Sequence, residues 1–208
     1  TWNTAHDLPD LADFYRLADL VYCDGEGVRL GARVLGESLP ERMTGADWIW
    51  DLAAHAADRG HRVFWVGGAE GVAAEAGLRL REAHPGLTLV GTHHGYFDKE
   101  GDESKALVRA INRAGPDIVL VGLGTPLQER WVGQVRRDLD APVVWALGAT
   151  ADFVSGKVPR GPAVLHRHGL EWLARLLVEP RRLWRRYLVG NARFAARIAD
   201  ARWRRRGE

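Results

Sequence analysis

The chain has 208 residues, of which 46% are hydrophobic and 27% charged, and its formal net charge is +2. These values are ordinary for a globular protein, and the length favours one domain with room for an appendage. The single cysteine, Cys23, excludes an internal disulfide and is typical of a reducing compartment. No apolar run is long enough to span a bilayer.

Short apolar runs alternate with segments of helical periodicity through the first three quarters of the chain. Strands are predicted at residues 18–23, 62–66, 87–90, 118–121 and 143–147. Between them, helices are predicted at residues 8–17, 28–35, 48–59 and 103–114, near 72–84, and from 126 to about 138. Strands and helices that alternate in this way predict an α/β fold with a doubly wound, mostly parallel, Rossmann-like sheet.

Charge is divided sharply along the sequence. Residues 157–208 carry 14 Lys and Arg against 4 Asp and Glu, a net of +10, which leaves −8 for residues 1–156. We therefore predict an α/β domain over residues 1–156 and a basic helical appendage over 157–208. Such an appendage favours an anionic partner: a membrane surface, a phosphorylated ligand or nucleic acid.

The appendage contains a glycine- and proline-bearing linker at residues 157–162, followed by predicted helices at 169–178 and 181–206. In the second helix an apolar stripe with Trp184 and Tyr187 is flanked by arginines, as in helices that lie on membrane surfaces. A terminal helix that packs on the core and leaves a basic face in solvent would show the same pattern.

Three polar or glycine-rich clusters follow predicted strands, so in a parallel sheet they would open on one edge. They are Asp24 with its neighbouring glycines, the turn from Gly67 to Gly71, and the group of Thr125, Gln128 and Glu129. An acid at such an edge can serve as a general base. Asp24 could equally be a helix N-cap, and the third cluster an ordinary turn between a strand and a helix.

The third cluster lies in a stretch, residues 116–131, that has the composition of a strand, a glycine turn and a helix start. Thr125 is a good N-cap, Pro126 suits the first helical position, and Glu129 suits the first turn. Gly122 and Gly124 would leave the backbone open to a ligand.

Metal and cofactor sites are weakly supported. His93 and His94 are adjacent and cannot share one face, and Asp138-Leu-Asp140 precedes Pro142 at a predicted helix end. The glycines at 67, 68 and 71 lack the full dinucleotide fingerprint. We predict no metal and no cofactor. The competing hypotheses are a dinucleotide-dependent oxidoreductase and a non-enzymatic membrane or nucleic-acid adaptor.

Ordered motifs over about 180 residues resemble the WecG/TagA/CpsF glycosyltransferases, bacterial enzymes of lipid-linked surface polysaccharide and teichoic acid synthesis. The matching segments are T-x-N at 1–3, A-D-L-V-x-x-D-G-x-G at 18–27, E-R-M-T-G-A-D at 41–47, V-G-G-x-x-G-V at 66–72, H-P-G-L at 84–87, G-Y-F at 95–97, the segment at 116–131, G-A-x-x-D-F at 148–153 and G-L-E-W-L-x-R-L-x-x-E-P-R-R-L at 169–183. The chain begins at T-x-N, without the first strand and helix expected in the family.

The resemblance implies an inverting, metal-independent transfer of a sugar from a UDP-sugar to an undecaprenyl-diphosphate-linked acceptor sugar. The donor would be UDP-N-acetylmannosamine or another UDP-hexose. Asp24 would be the general base, and Thr1, Arg42 and Gln128 would line the same pocket. The remaining substrate-binding positions would be Asn3, Gly67, Gly68, Gly122, Gly124 and Thr125.

The resemblance also gives the basic appendage a role. It would bind the inner face of the plasma membrane peripherally rather than nucleic acid. Its arginines would stabilise the leaving diphosphate, with Arg175, Arg182 and Arg185 as candidates, since planar guanidinium donors suit phosphate oxygens. Assembly into a homo-oligomer is compatible with the pattern.

Overall fold

The computed structural model describes residues 2–40, 42–159, 171–178 and 180–207. By internal contacts the chain divides into two compact units. The sheet unit comprises residues 8–17 and 45–158, and the helical unit comprises residues 1–7, 18–44 and 159–208. The units interleave along the sequence. The functional division at residues 156 and 157 stays a prediction.

The sheet unit alternates strands and helices. Its strands are β1 (Arg62–Gly67), β2 (Thr88–His93), β3 (Ile118–Gly122) and β4 (Val143–Ala146). Its helices are α2 (Pro9–Leu17), α4 (Gly45–Arg59), α5 (Val72–Ala83), α6 (Asp102–Ala114), α7 (Leu127–Val135) and α8 (Thr150–Val154), with a 3-10 turn at Arg136–Asp138.

All four strands are parallel and lie in the order β2-β1-β3-β4. The chain therefore moves from β1 outward to β2, crosses back to β3, and continues to β4 on the other side. This arrangement confirms the predicted doubly wound, Rossmann-like sheet. The four matching strand predictions differ from the observed bounds by at most three residues.

The core of the sheet unit lies between the central strands and the helices. β3 is buried along Ile118–Val121 because helices cover both faces of a doubly wound sheet. Trp131 on α7 has no exposed surface, and its indole Nε1 donates to Ser104 Oγ at 2.8 Å. A buried indole N–H needs such an acceptor. Helix α7 is thereby held against the start of α6.

The helical unit contains α1 (Trp2–Asp7), α3 (Glu26–Val34), α9 (Glu171–Val178), α10 (Pro180–Trp184), a π-helical turn at Arg185–Val189 and α11 (Gly190–Gly207). Helix α11 lies against α3: a Cβ on Gly31 would come within 2.6 Å of Phe194. The two helices approach closely because position 31 has no side chain.

The predicted strand at residues 18–23 is wrong. Residues 18–25 are all described and form no helix or strand. Leu20 is 73% and Val21 55% exposed, so this apolar run is not the interior strand that its composition indicates. A short apolar run does not by itself specify a neighbouring strand to pair with.

Candidate active site

The order of the strands defines a switch point between β1 and β3, whose outgoing connections run to opposite sides of the sheet. In open α/β sheets, ligands bind in the crevice at the carboxyl ends of the two strands that flank such a point. Here those ends are Gly67 and Gly122, which are paired in register. Both were predicted as substrate-binding residues.

At this edge, the backbones of neighbouring loops and strand ends are in direct contact. A Cβ on Gly67 would lie 2.6 Å from the carbonyl oxygen of Gly122, and a Cβ on Gly122 would lie 2.4 Å from that of Gly148. Both distances are shorter than any real Cβ contact, so only hydrogen fits at these positions. The close approach of β1, β3 and the loop after β4 therefore depends on glycine.

The loop after β2 joins the same edge. The N–H of Gly95 donates to the carbonyl of Gly68 at 2.7 Å, and Gly68 has a left-handed φ of +68°. His94 Nδ1 accepts from the N–H of Tyr96 at 3.2 Å, and its Nε2 lies 3.3 Å from Glu70 Oε2. His94 thus connects the loops after β1 and β2, a role that its sequence position did not indicate.

Lys99 fixes the shape of the loop after β2. Its Nζ donates to the carbonyls of Gly95 and Phe97 and lies 3.9 Å from the centre of the Phe97 ring. Burial lowers the pKa of Lys99, and the carboxylates of Asp98 and Glu103 oppose that shift. The backbone of this loop therefore surrounds the ammonium group of Lys99.

Gln128 is buried, and its side-chain amide joins two of the loops. Its Oε1 accepts from the N–H of Gly124 at 3.2 Å and from that of Gly148 at 3.0 Å. Its Nε2 donates to Glu129 Oε1 at 3.0 Å. The structure thus gives Gln128 a clear part in holding the crevice loops. Its predicted contact with a substrate stays a prediction.

The predicted start of α7 is wrong. The helix begins at Leu127, Pro126 occupies the N-cap position after a cis Thr125–Pro126 bond, and no side chain caps the helix. Thr125 Oγ1 instead donates to Glu129 Oε1 at 2.9 Å. The hydroxyl therefore acts as a donor to a buried carboxylate, which a local capping rule does not anticipate.

Asp24 lies in the helical unit, exposed, two residues before α3. The N-cap position of α3 belongs to Gly25, with no side-chain hydrogen bond, so the alternative interpretation of Asp24 as a helix N-cap is wrong. The N–H of Met43 donates to the carbonyl of Cys23 at 2.9 Å, which brings the backbones next to Asp24 and Arg42 together. Burial, reinforced by the Asp24 carboxylate, raises the pKa of the Cys23 thiol.

Asn3, also in the helical unit, is bound to α11. Its Nδ2 donates to the carbonyl of Gly190 at 2.6 Å, and Arg197 Nη1 donates to Asn3 Oδ1 at 3.1 Å. Arg197 also pairs with Asp7, and this hydrogen bond lowers the pKa of the Asp7 carboxyl. The T-x-N motif and the basic appendage therefore meet within one unit.

Of the three arginines predicted to bind the diphosphate, the structure describes the side chain of Arg185. Arg185 is exposed at the start of the π-helical turn, with its guanidinium carbon 5.4 Å from the centre of the Trp184 ring. Thr1 and the side chains of Arg175 and Arg182 lie outside the described part of the structure.

Within the sheet unit, the structure brings together Gly67, Gly68, Gly122, Gly124, Thr125 and Gln128, all of which were predicted. It also places Glu129, a member of the third predicted cluster, beside them, and it adds Gly148 and Tyr15. Gly148 carries a detectable signal, since it follows a strand within the G-A-x-x-D-F motif. Tyr15 carries none, because its hydroxyl reaches Glu129 only through the packing of α2 on α7.

In the described parts of the chain, no three His, Cys, Asp or Glu side chains come together as a metal site requires. This absence does not test the reaction itself, and metal independence stays a prediction. Among the described helices, none is both long and apolar enough to cross a bilayer.

The sequence matches the family model described as the glycosyl transferase WecG/TagA/CpsF family over residues 2–208. The chain belongs to this family. A relative from Bacillus spizizenii, the N-acetylglucosaminyldiphosphoundecaprenol N-acetyl-beta-D-mannosaminyltransferase, is 35% identical over 171 residues. The alignment covers 82% of this WecG/TagA/CpsF chain and 65% of the length of that relative. The resemblance inferred from motifs is thereby confirmed.

Proposed function

We propose that the chain transfers N-acetylmannosamine from a UDP-sugar to N-acetylglucosamine linked to undecaprenyl diphosphate. The observation that carries the proposal is the family match over residues 2–208. The printed name of the Bacillus relative, a β-D-mannosaminyltransferase acting on a diphosphoundecaprenol-linked N-acetylglucosamine, supports this donor sugar and acceptor. The switch-point crevice, lined by glycines, supports a nucleotide ligand in the sheet unit.

The reaction is a single inverting displacement. The acceptor hydroxyl oxygen forms a bond to C1 of the donor sugar while the C1–O bond to UDP breaks. Asp24 takes the proton from that hydroxyl, and UDP leaves with the bonding electrons. An exposed carboxylate outside any helix or strand, beside the segment that carries Arg42, is suited to meet a membrane-bound acceptor.

The negative charge that develops on the leaving UDP needs a compensating group. The backbone N–H groups of Gly124 and Gly148 do not serve, because Gln128 Oε1 already accepts from both. We assign the task to arginines of the appendage, with Arg185 the described candidate, three residues after Arg182 and ten after Arg175. This assignment makes the reaction independent of a metal ion.

The same arginines support peripheral attachment to the inner face of the plasma membrane. In the described structure, Leu177, Leu188 and Trp203 are more than half exposed in the helices of the appendage. Exposed apolar and aromatic groups beside arginines are the composition that binds anionic lipid headgroups. A homo-oligomer remains compatible with this arrangement.

The proposal is tested with purified protein, a panel of UDP-hexoses and a lipid-diphosphate-N-acetylglucosamine acceptor. We expect transfer from UDP-N-acetylmannosamine, a β-linked product by NMR and an unchanged rate after EDTA treatment. If only a different UDP-hexose supports transfer, the proposed donor sugar is wrong. Loss of activity with EDTA that Mg²⁺ or Mn²⁺ restores would reject metal independence. Tight NAD(P) binding by calorimetry without UDP binding would favour an oxidoreductase and reject the proposal.

A further inference from the structure

Glu129 is a buried carboxylate to which the proposed reaction assigns no role. It is 3% exposed, in the first turn of α7. Its Oε1 accepts three hydrogen bonds, from Thr125 Oγ1 at 2.9 Å, Gln128 Nε2 at 3.0 Å and Tyr15 Oη at 3.1 Å. Among the described residues its Oε2, also buried, has no hydrogen-bond partner. A carboxylate removed from water in this way depends on the few donors that it has.

The carboxylate determines how the amide of Gln128 is oriented. Glu129 Oε1 acts as an acceptor toward Thr125 and Tyr15, so the part of the Gln128 amide that faces it must be a donor, which is the NH₂ group. The amide oxygen then necessarily points the other way, toward the N–H groups of Gly124 and Gly148. With the amide reversed, an NH₂ group would face those two donors, and an oxygen would face the carboxylate. Both arrangements are unfavourable.

Gly124 and Gly148 belong to the loops that follow β3 and β4 at the switch-point crevice. One amide oxygen therefore bridges the two loops, and Glu129 together with the two N–H donors sets its direction. Tyr15 on α2 and Thr125 in the loop after β3 hold the carboxylate in turn. A continuous chain of hydrogen bonds thus runs from α2 to the crevice.

We propose that Glu129 is a positioning residue for the sugar-nucleotide crevice, which acts by orienting the Gln128 amide. The proposal rests on the proposed function, because it assigns a role within the site of that reaction. Glu129 does not touch the reacting atoms. It keeps the two loops at the spacing that the donor requires.

The first test measures hydrogen exchange of the Gly124 and Gly148 amides by NMR at fixed pH and temperature. In Glu129→Ala the Gln128 amide loses its orienting acceptor, and we expect both rates to rise about tenfold, as in Gln128→Ala. Glu129→Gln, a more conservative change, keeps a neutral and weaker acceptor, so both rates should rise about threefold. The control Glu82→Ala, exposed in the last turn of α5, should leave both rates unchanged.

The second test is a double-mutant cycle in the transfer assay. If Glu129 acts through Gln128, Glu129→Ala combined with Gln128→Ala lowers kcat/KM for the donor no further than Gln128→Ala alone. Losses that multiply, or glycine amide rates at the wild-type value in both Glu129 variants, would overturn the proposal. If the wild-type protein transfers no sugar, the proposed function fails, and the exchange rates still decide whether Glu129 orients the amide.

Discussion

The carbonyl of Cys23 accepts a hydrogen bond from the N–H of Met43 at 2.9 Å. This bond joins two segments 20 residues apart that carry Asp24 and Arg42, both predicted from sequence as members of one site. Neither segment forms a helix or strand there, so the pairing of their backbones is a tertiary feature. It supports a shared role for the two side chains.

Asp24→Asn tests the assignment of the general base. The substitution keeps the size of the side chain but removes the proton acceptor, so we expect turnover to fall by about 10²–10⁴-fold. Thermal unfolding should change little, because Asp24 is exposed. The control Asp58→Asn makes the same change at an exposed position near the end of α4 and should keep full activity. Turnover of Asp24→Asn within threefold of wild type would reject the assignment.

Tyr15→Phe tests the energetic importance of the donors to Glu129. The variant removes one of three hydrogen bonds to a buried carboxylate, so the free energy of unfolding should fall by about 1–3 kcal/mol. Denaturant unfolding measures the change. Tyr96→Phe is the matched control, because Tyr96 is 79% exposed. Equal stability of the two variants would show that Tyr15 contributes little to holding Glu129.

Gly122→Ala tests the backbone contact at the switch point. The new Cβ would lie 2.4 Å from the carbonyl oxygen of Gly148, so the strand or the loop must shift, at a cost of about 1–3 kcal/mol. Calorimetric unfolding should show a lower Tm together with weaker UDP binding. Gly133→Ala is the control: its Cβ meets Phe14 at 3.6 Å, an ordinary contact. Within α7 that change should stabilise the protein by up to about 1 kcal/mol.

Asp7→Asn tests the pairing of α1 with α11. The hydrogen bond from Arg197 holds the pKa of Asp7 below its ordinary value of 3.8. The stabilisation is therefore fully present above pH 3.8 and is lost as the pH falls through the lower folded-state pKa. We expect the Tm of wild type to exceed that of Asp7→Asn slightly at pH 6, and the difference to shrink below pH 3.8. A difference independent of pH between 6 and 2.5 would contradict the pairing.

Arg185→Glu tests the membrane role of the appendage. Each arginine near an anionic surface contributes about 1 kcal/mol, so reversing one charge should weaken binding to phosphatidylglycerol vesicles by about tenfold or more. Co-sedimentation at low salt measures the change. Arg137→Glu, an exposed charge reversal in the 3-10 turn before β4, should leave binding unchanged. Equal binding of the Arg185 and Arg137 variants would show that Arg185 does not face the membrane.

Local pattern accounts for much of the sheet. The runs at residues 62–66 and 118–121 are apolar, β-branched and bounded by turn residues, and both became central strands. The run at residues 18–23 is also mostly apolar, though it contains Asp19 and one β-branched residue, and it remains without a strand partner in the described structure. The composition of a segment indicates only that it could be buried. Whether it is buried depends on which other segments pack against it.

The sequence alone determined the alternation of strands and helices, the glycines at the crevice, the family and the positive charge of residues 157–208. These features depend on residue type and spacing, which act locally. Only the tertiary structure decided the strand order, the irregular path at Asp24 and the network around Glu129. The bond from Tyr15 to Glu129 joins residues 114 apart, and no periodicity encodes such a contact. It exists because α2 and α7 pack together and leave a buried carboxylate that requires donors.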